Sequence, residues 1–264
     1  MCCFSQPVEL VADTNIFARG DDGRQFLAYS MSYAAASALA MVLPLPVPPD
    51  PPEDAVRFID LKRYPSFFDH MRRGFPQTMA YTLDAASATP ARAPKLRVHA
   101  VGDFEASFVP RIADFDRLDE RFRIPPGVWQ QLPGHRDYGF AVFKLKASVS
   151  LAGDGARQPR RVHPMAFTFP RRDPDLLFFP TVHVHDRQVH PRATFDHMLY
   201  CQADPATEAY LRTWERSHGP ASTFLDVARC QGLVQPHQPC RRLPLRGSLD
   251  NRDTLVGQGG TLPR

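Results

Sequence analysis

Proline constrains this chain more than any other residue. There are 27 prolines against 15 glycines in 264 residues, with a dense run in "VLPLPVPPDPP". Proline lacks a backbone donor and clashes with the preceding helical turn, so so many of them preclude long helices. They favour strands joined by stiff loops. Hydrophobic residues make up 43% of the chain, enough for a sizeable core. The length suits one large β-rich domain. The expected fold class is α+β: a single β-rich domain of antiparallel sheets with a few short covering helices. Residues 1–230 are expected to form it. Residues 231–264, polar and rich in Pro and Gly, read as a C-terminal extension that is partly wrapped or disordered.

Local patterns agree with this class. "TNIFARGDDGRQFLAYSMSY" reads as a β-hairpin turning at Gly20-Asp21-Asp22-Gly23. "LAMVLPLPV" reads as a strand at an edge or a ladder's end, because of Pro44 and Pro46. "YPSFFDHMRRGF" has helical spacing, with Ser66 as N-cap and Gly74 as stop. Residues 83–94 read as an exposed loop. "YGFAVFKLKASVSL" with "RRVHPMAFTFP" is expected to form one hairpin, and "DLLFFPTVHVHD" with "ATFDHMLYCQ" a second. "DPATEAYLRTWERS" reads as a helix capped by Asp204, with Pro205 in its first turn.

Composition excludes some functional classes. The net charge is +4, but acidic and basic residues interleave. Nucleic-acid binding would need a clustered basic stripe, and "CRRLPLR" is too short to be one. No run of 18 apolar residues marks a membrane span. The N-terminus lacks the features of a signal peptide, so a cytoplasmic location is expected. Lysine occurs only at 62, 95, 144 and 146, the other basic residues being arginine; this is the usage of a GC-rich bacterial genome. Five cysteines at irregular spacing read as thiols or ligands rather than a disulfide framework.

The residues able to do chemistry cluster in "TVHVHDRQVHPRATFDH". His183 and His185 lie two apart on an expected strand and leave one face. His197 and Cys201 share a face of the next strand, and His163 lies on the preceding one. If these strands are neighbours, three or four imidazoles converge. Imidazole suits Zn, Cu, Fe and Ni, and thiolate adds a preference for Cu(I) or Zn. The opening "MCC" leaves three readings. Cys2 and Cys3 supply thiolate ligands, although a regular strand lets only one face the ion. Alternatively, Cys2 is an N-terminal nucleophile with its own amine as base. In the third reading, Cys3 is a small core residue and Cys2 a frayed end.

Two resemblances bear on these readings. Cys2, Arg19 and Asp21 in "NIFARGDD" resemble the start of N-terminal-nucleophile cysteine amidohydrolases of the choloylglycine hydrolase type. There an Asn follows the Arg, whereas here Gly20 does. The resemblance implies amide hydrolysis with Cys2 as nucleophile. More of the chain, from "MCCFSQPVELVADTNIFAR" through "LAMVLPLPVPP" to "FFPTVHVHD" and "FDHMLYCQ", resembles a bacterial family of cytoplasmic proteins of unknown function beginning Met-Cys-Cys-Phe-Ser. That resemblance implies that the two cysteines and the "HVH" strand belong to one pattern, and implies no activity.

The leading expectation is a metal-binding protein of the oxidoreductase type, with Cys2, Cys3, His163, His183 and His185 around a copper or zinc ion. An N-terminal-cysteine hydrolase of an amide is the alternative, with Cys2 and Cys3 as the catalytic candidates. A non-enzymatic interaction protein is the third reading. A small-molecule substrate is the expected partner, with no nucleic acid and no membrane.

Overall fold

Helices are short, as the prolines demand: α1 (Phe67–Arg73), α2 (Pro126–Gln130) and α3 (Pro205–Glu208). The computed structural model describes residues 2–76, 99–101, 104–148, 158–257 and 260–262. In chain order its strands are β1 (Cys2–Phe4), β2 (Leu10–Asp21), β3 (Arg24–Ala34), β4 (Leu39–Leu45), β5 (Arg57–Asp60), β6 (His99–Val101), β7 (Phe104–Val109), β8 (Gly139–Leu145) and β9 (Arg160–Arg161). Then come β10 (Met165–Pro170), β11 (Leu177–Phe179), β12 (His183–Val184), β13 (Arg192–Gln202), β14 (Glu215–Pro220), β15 (Pro239–Asp250), β16 (Thr254–Gly257) and β17 (Gly260–Leu262). No helix among the described residues is long and apolar enough to cross a membrane.

The first hairpin forms where its sequence places it. Asp21 pairs with Arg24 around Asp22 and Gly23, whose φ angles of 45° and 71° are both left-handed. That is the geometry a two-residue hairpin turn requires. At the other end of β2 the register shifts between Ala12 and Asn15, and Asp13 takes φ 52°. This bulge bends β2 beside the histidine cluster described below.

Two large sheets stack. One has the order β12-β1-β4-β8-β7-β6, and the other β14-β15-β13-β2-β3-β10-β5 with β9 beside β3. Strands β11, β16 and β17 form a third, small sheet. Alternation sorts the central strands' side chains between two cores. Ile16, Ala18, Leu27, Tyr29, Phe167 and Leu199 join the main core. Phe17, Ala28, Ala166 and Tyr200 face the other way, under Phe67, Phe68 and Met71 of α1 and under Leu233 and Val234.

The chain is therefore mostly β, and its sheets are mixed rather than purely antiparallel. Strands β1 and β12 run parallel, as do β13 and β2. The two later hairpins do not form. Strand β8 lies in the six-stranded sheet and β10 in the large one; β12 and β13 are separated in the same way. Strand β4 is no edge but a fully buried strand between β1 and β8. Its Pro44 pairs with Phe140 on one side, while β1 meets only Val42 and Met41 on the other. The helix expected after Asp204 stops at Glu208, although its cap forms: Asp204 accepts from the Thr207 amide at 2.8 Å. The loop expected over 83–94 lies outside the described residues.

The division at residue 230 does not follow the architecture. Strand β15 pairs with β13 from Arg192↔Asp250 to Cys201↔Arg241. Leu233, Val234 and Cys240 are buried in the second core. Strand β15 contains "RRLPLRG", but its ten pairs with β13 depend on β13 lying alongside, which composition cannot reveal.

Candidate functional site

The site lies where one end of the six-stranded sheet meets the large sheet. Strand β12 brings His183, and β13 brings His197 on the face that also carries Leu199 and Cys201. The two rings meet at Nε2, 3.1 Å apart, one donating and the other accepting. His183 lies between two ring neighbours: His185 at a centroid distance of 4.9 Å and His197 at 4.8 Å, both close to parallel. Phe195 closes on His183 at 4.5 Å, and Phe4 lies 5.6 Å from His185.

These walls keep the imidazoles neutral. Burial, then the neighbouring His185, pushes His183 down to about 3. Burial pushes His185 down to about 4. His197 lies well below the usual histidine range, from burial first and then from His183. A neutral imidazole offers a lone pair, which is the form that binds a metal or accepts a proton. Two buried ring nitrogens, Nε2 of His185 and Nδ1 of His197, have no hydrogen-bond partner among the described residues. Buried polar atoms are rarely left so.

Side chains from the C-terminal segment hold the histidine strand. The His183 N–H donates to Asn251 Oδ1 at 2.6 Å, and Asn251 Nδ2 donates to the carbonyls of His183 at 2.9 Å and His190 at 2.8 Å. Two residues on, Asp253 accepts from the amides of Thr181 at 2.8 Å and Val182 at 3.0 Å. Its other oxygen meets His135 Nε2 at 2.7 Å. Burial alone would raise the Asp253 carboxyl, but the bond from His135 and the charge of His135 hold it below its usual value.

Strand β1 lies against this segment. Cys2 is in register with His183, and Cys3 with Val184. Phe4, whose ring meets His185, shares the strand row of position 2. Cys3 belongs to the other row: it is fully buried in the main core, in register with Val42 and Val184. Cys3 therefore does not join the histidines.

His163 does not join them either. Its ring stacks on Phe104 at 4.5 Å. It precedes β10, which in the large sheet lies three strands from β13, or about 14 Å at the usual strand spacing. His197 takes the place expected of it. The order of strands along the chain pointed to His163, whereas the order within the sheet selects His197. His190 sits outside on Asp186 at 2.7 Å. Among the described residues, no set of three His, Cys, Asp or Glu side chains is arranged to hold a metal ion.

Arg19 and Asp21 form an ion pair at 2.6 Å. Arg19 also donates to the carbonyls of Leu233 and Gly232 and lies over the Phe26 ring. Thr14 of β2 pairs with His197, so Arg19 lies five residues further along, about 17 Å of strand. The structure does not bring Arg19 and Asp21 to the strand that carries Cys2.

No protein-family model matches the chain, and no curated protein matches it. Among solved structures, that titled crystal structure of baculovirus P35 aligns with 95% of this chain and 97% of its own, at 12% identity and a TM-score of 0.43. A likeness that slight carries no argument about what the chain does.

Proposed function

We propose that the chain binds one transition-metal ion, copper or zinc, with His183 and His197 as the primary ligands. His185, whose ring stacks on His183, is a further donor, and Cys2 is the residue in register with His183. The observation that carries this reading is the Nε2–Nε2 separation of 3.1 Å between two buried imidazoles that are neutral in the folded chain. Two ligands at about 2.05 Å from one ion lie about 2.9 Å apart at a right angle and about 3.3 Å apart at the tetrahedral angle. The two nitrogens already stand between these values. Exchanging the proton they share for an ion needs little movement of either ring.

The surroundings support the same reading. Asn251 fixes the backbone of His183 on both its N–H and its C=O, which steadies the strand that presents the ring. A thiolate at position 2 would favour copper or zinc over harder ions. A bound copper ion would make electron transfer or oxidoreductase chemistry accessible.

Elemental analysis of protein made without a polyhistidine tag tests this first. Titration of the chelator-stripped chain with Zn2+, and with Cu+ under anaerobic reducing conditions, tests it quantitatively. One equivalent should bind. His183→Gln and His197→Gln should each weaken binding at least about tenfold, while Cys3→Ala and His163→Ala should not. Absence of both a co-purified ion and saturable uptake rejects the reading.

A further inference from the structure

We propose that the cleft beside the short helices covering the six-stranded sheet is a binding site for a small organic acid with a flat apolar body and one carboxylate. The cleft encloses about 710 Å3, which is the size of small-molecule sites in general. This inference does not depend on metal binding by the histidines.

The floor of the cleft is apolar and rigid. Phe115, Ile124 and Trp129 line it and are themselves buried. Phe115 and Trp129 pack on each other at 5.4 Å, and both rest on Phe140 of β8, at 5.1 Å and 4.7 Å. A floor braced on a central strand keeps its shape when a ligand enters, so little ordering is needed on binding. Flat aromatic walls select a flat partner.

The mouth is charged. Arg121, Arg123 and Arg187 line the cleft along with Asp116 and Glu120, and Asp119 stands beside Arg121. Two of the arginines are already engaged. Arg121 forks onto Asp119 at 3.1 and 2.9 Å, and Arg123 meets Asp116 at 3.3 Å. Arg187 differs from them. Among the described residues its guanidinium bonds only to the neutral amide of Gln6, and no carboxylate pairs with it. Its backbone is also left-handed, at φ 65°, a conformation that a residue with a long side chain adopts only where its surroundings impose it. A carboxylate beside Arg187 gains a charge-assisted hydrogen bond without displacing an existing ion pair. The apolar body of the same molecule then reaches the Phe115–Trp129 floor.

Binding of 2-naphthoate to the full chain, followed by calorimetry, tests this. One saturable site is expected, and the neutral 2-naphthamide should bind at least about tenfold more weakly, the effect of losing one charge-assisted bond. Arg187→Gln should weaken 2-naphthoate at least about tenfold and leave 2-naphthamide within about twofold, which separates loss of the charge contact from loss of fold. Ile112→Glu, at the apolar side, should weaken both. Equal affinity for acid and amide, unchanged affinity in Arg187→Gln, or no saturable binding to the wild-type chain would each overturn the proposal.

Discussion

The buried imidazoles make acid sensitivity the most direct quantity to measure. Consider His185→Leu in the presence of a chelator. In the unfolded chain a histidine takes up a proton near its ordinary value of 6.5, while His185 in the folded chain refuses one until about 4. Below pH 6.5 the unfolded state therefore binds one more proton at this position, and folding stability falls as the pH drops through that window. At about 1.4 kcal/mol per pH unit, lowering the pH from 8 to 5 removes about 2 kcal/mol through this side chain alone. His183, at about 3, is still neutral at pH 5, so its coupling to His185 does not enter. Leucine takes up no proton. The assay is urea unfolding at the two pH values, read by the fluorescence of Trp129 and Trp214, both buried. The wild type should lose about 2 kcal/mol more than His185→Leu between pH 8 and pH 5. If both proteins show the same pH dependence, the reasoning about neutral buried imidazoles is wrong.

Three further outcomes follow from the packing. Asn251→Ala removes three hydrogen bonds to the backbone of residues 183 and 190 and should cost about 2–3 kcal/mol in urea unfolding, with a parallel loss of metal affinity. Ending the chain after residue 238 deletes β15, β16 and β17 and should abolish cooperative unfolding in circular dichroism, since β13 would lose its partner along the whole of β15. Gly139→Ala would place a methyl group 2.6 Å from the Phe108 ring and 3.0 Å from a Val47 methyl, so a cost of about 1–3 kcal/mol is expected from thermal or urea unfolding.

Local chemistry in the sequence reached the structure largely intact. Asp22-Gly23 has the turn conformation that its residues favour and Asp204 caps α3; α1 fills the stretch between Ser66 and Gly74, but Ser66 makes no side-chain cap bond and Gly74 stays right-handed. The pairing of strands was not legible in the same way. Alternation shows which residues share a face of one strand but not which strand lies alongside. Two hairpins were expected from chain order, and in both the strands part into different sheets. The same limit affected the site. The His183/His185 spacing was legible, but the choice of His197 over His163 depends on β13 joining β2 in parallel. Asn251 and Asp253 carried no local signal, because their roles come from side chains reaching about 70 residues back along the chain to bond another segment's backbone.

The pairing of β1 with β12 also sets a schedule. The first strand of the chain needs a neighbour that is made about 180 residues later, which at about 5–20 residues per second is a wait of roughly 10–40 seconds during synthesis. Strand β4 is available early and can hold Cys3 and Phe4 in the meantime. Asn251 and Asp253, which pin the histidine strand, arrive later still. The histidine cluster is therefore completed only after residue 253 has been made, and an ion able to bridge His183 and His197 would meet its ligands in place only then. Slow acquisition of metal relative to the collapse of the β2–β3 hairpin and its neighbours is the kinetic signature of that order.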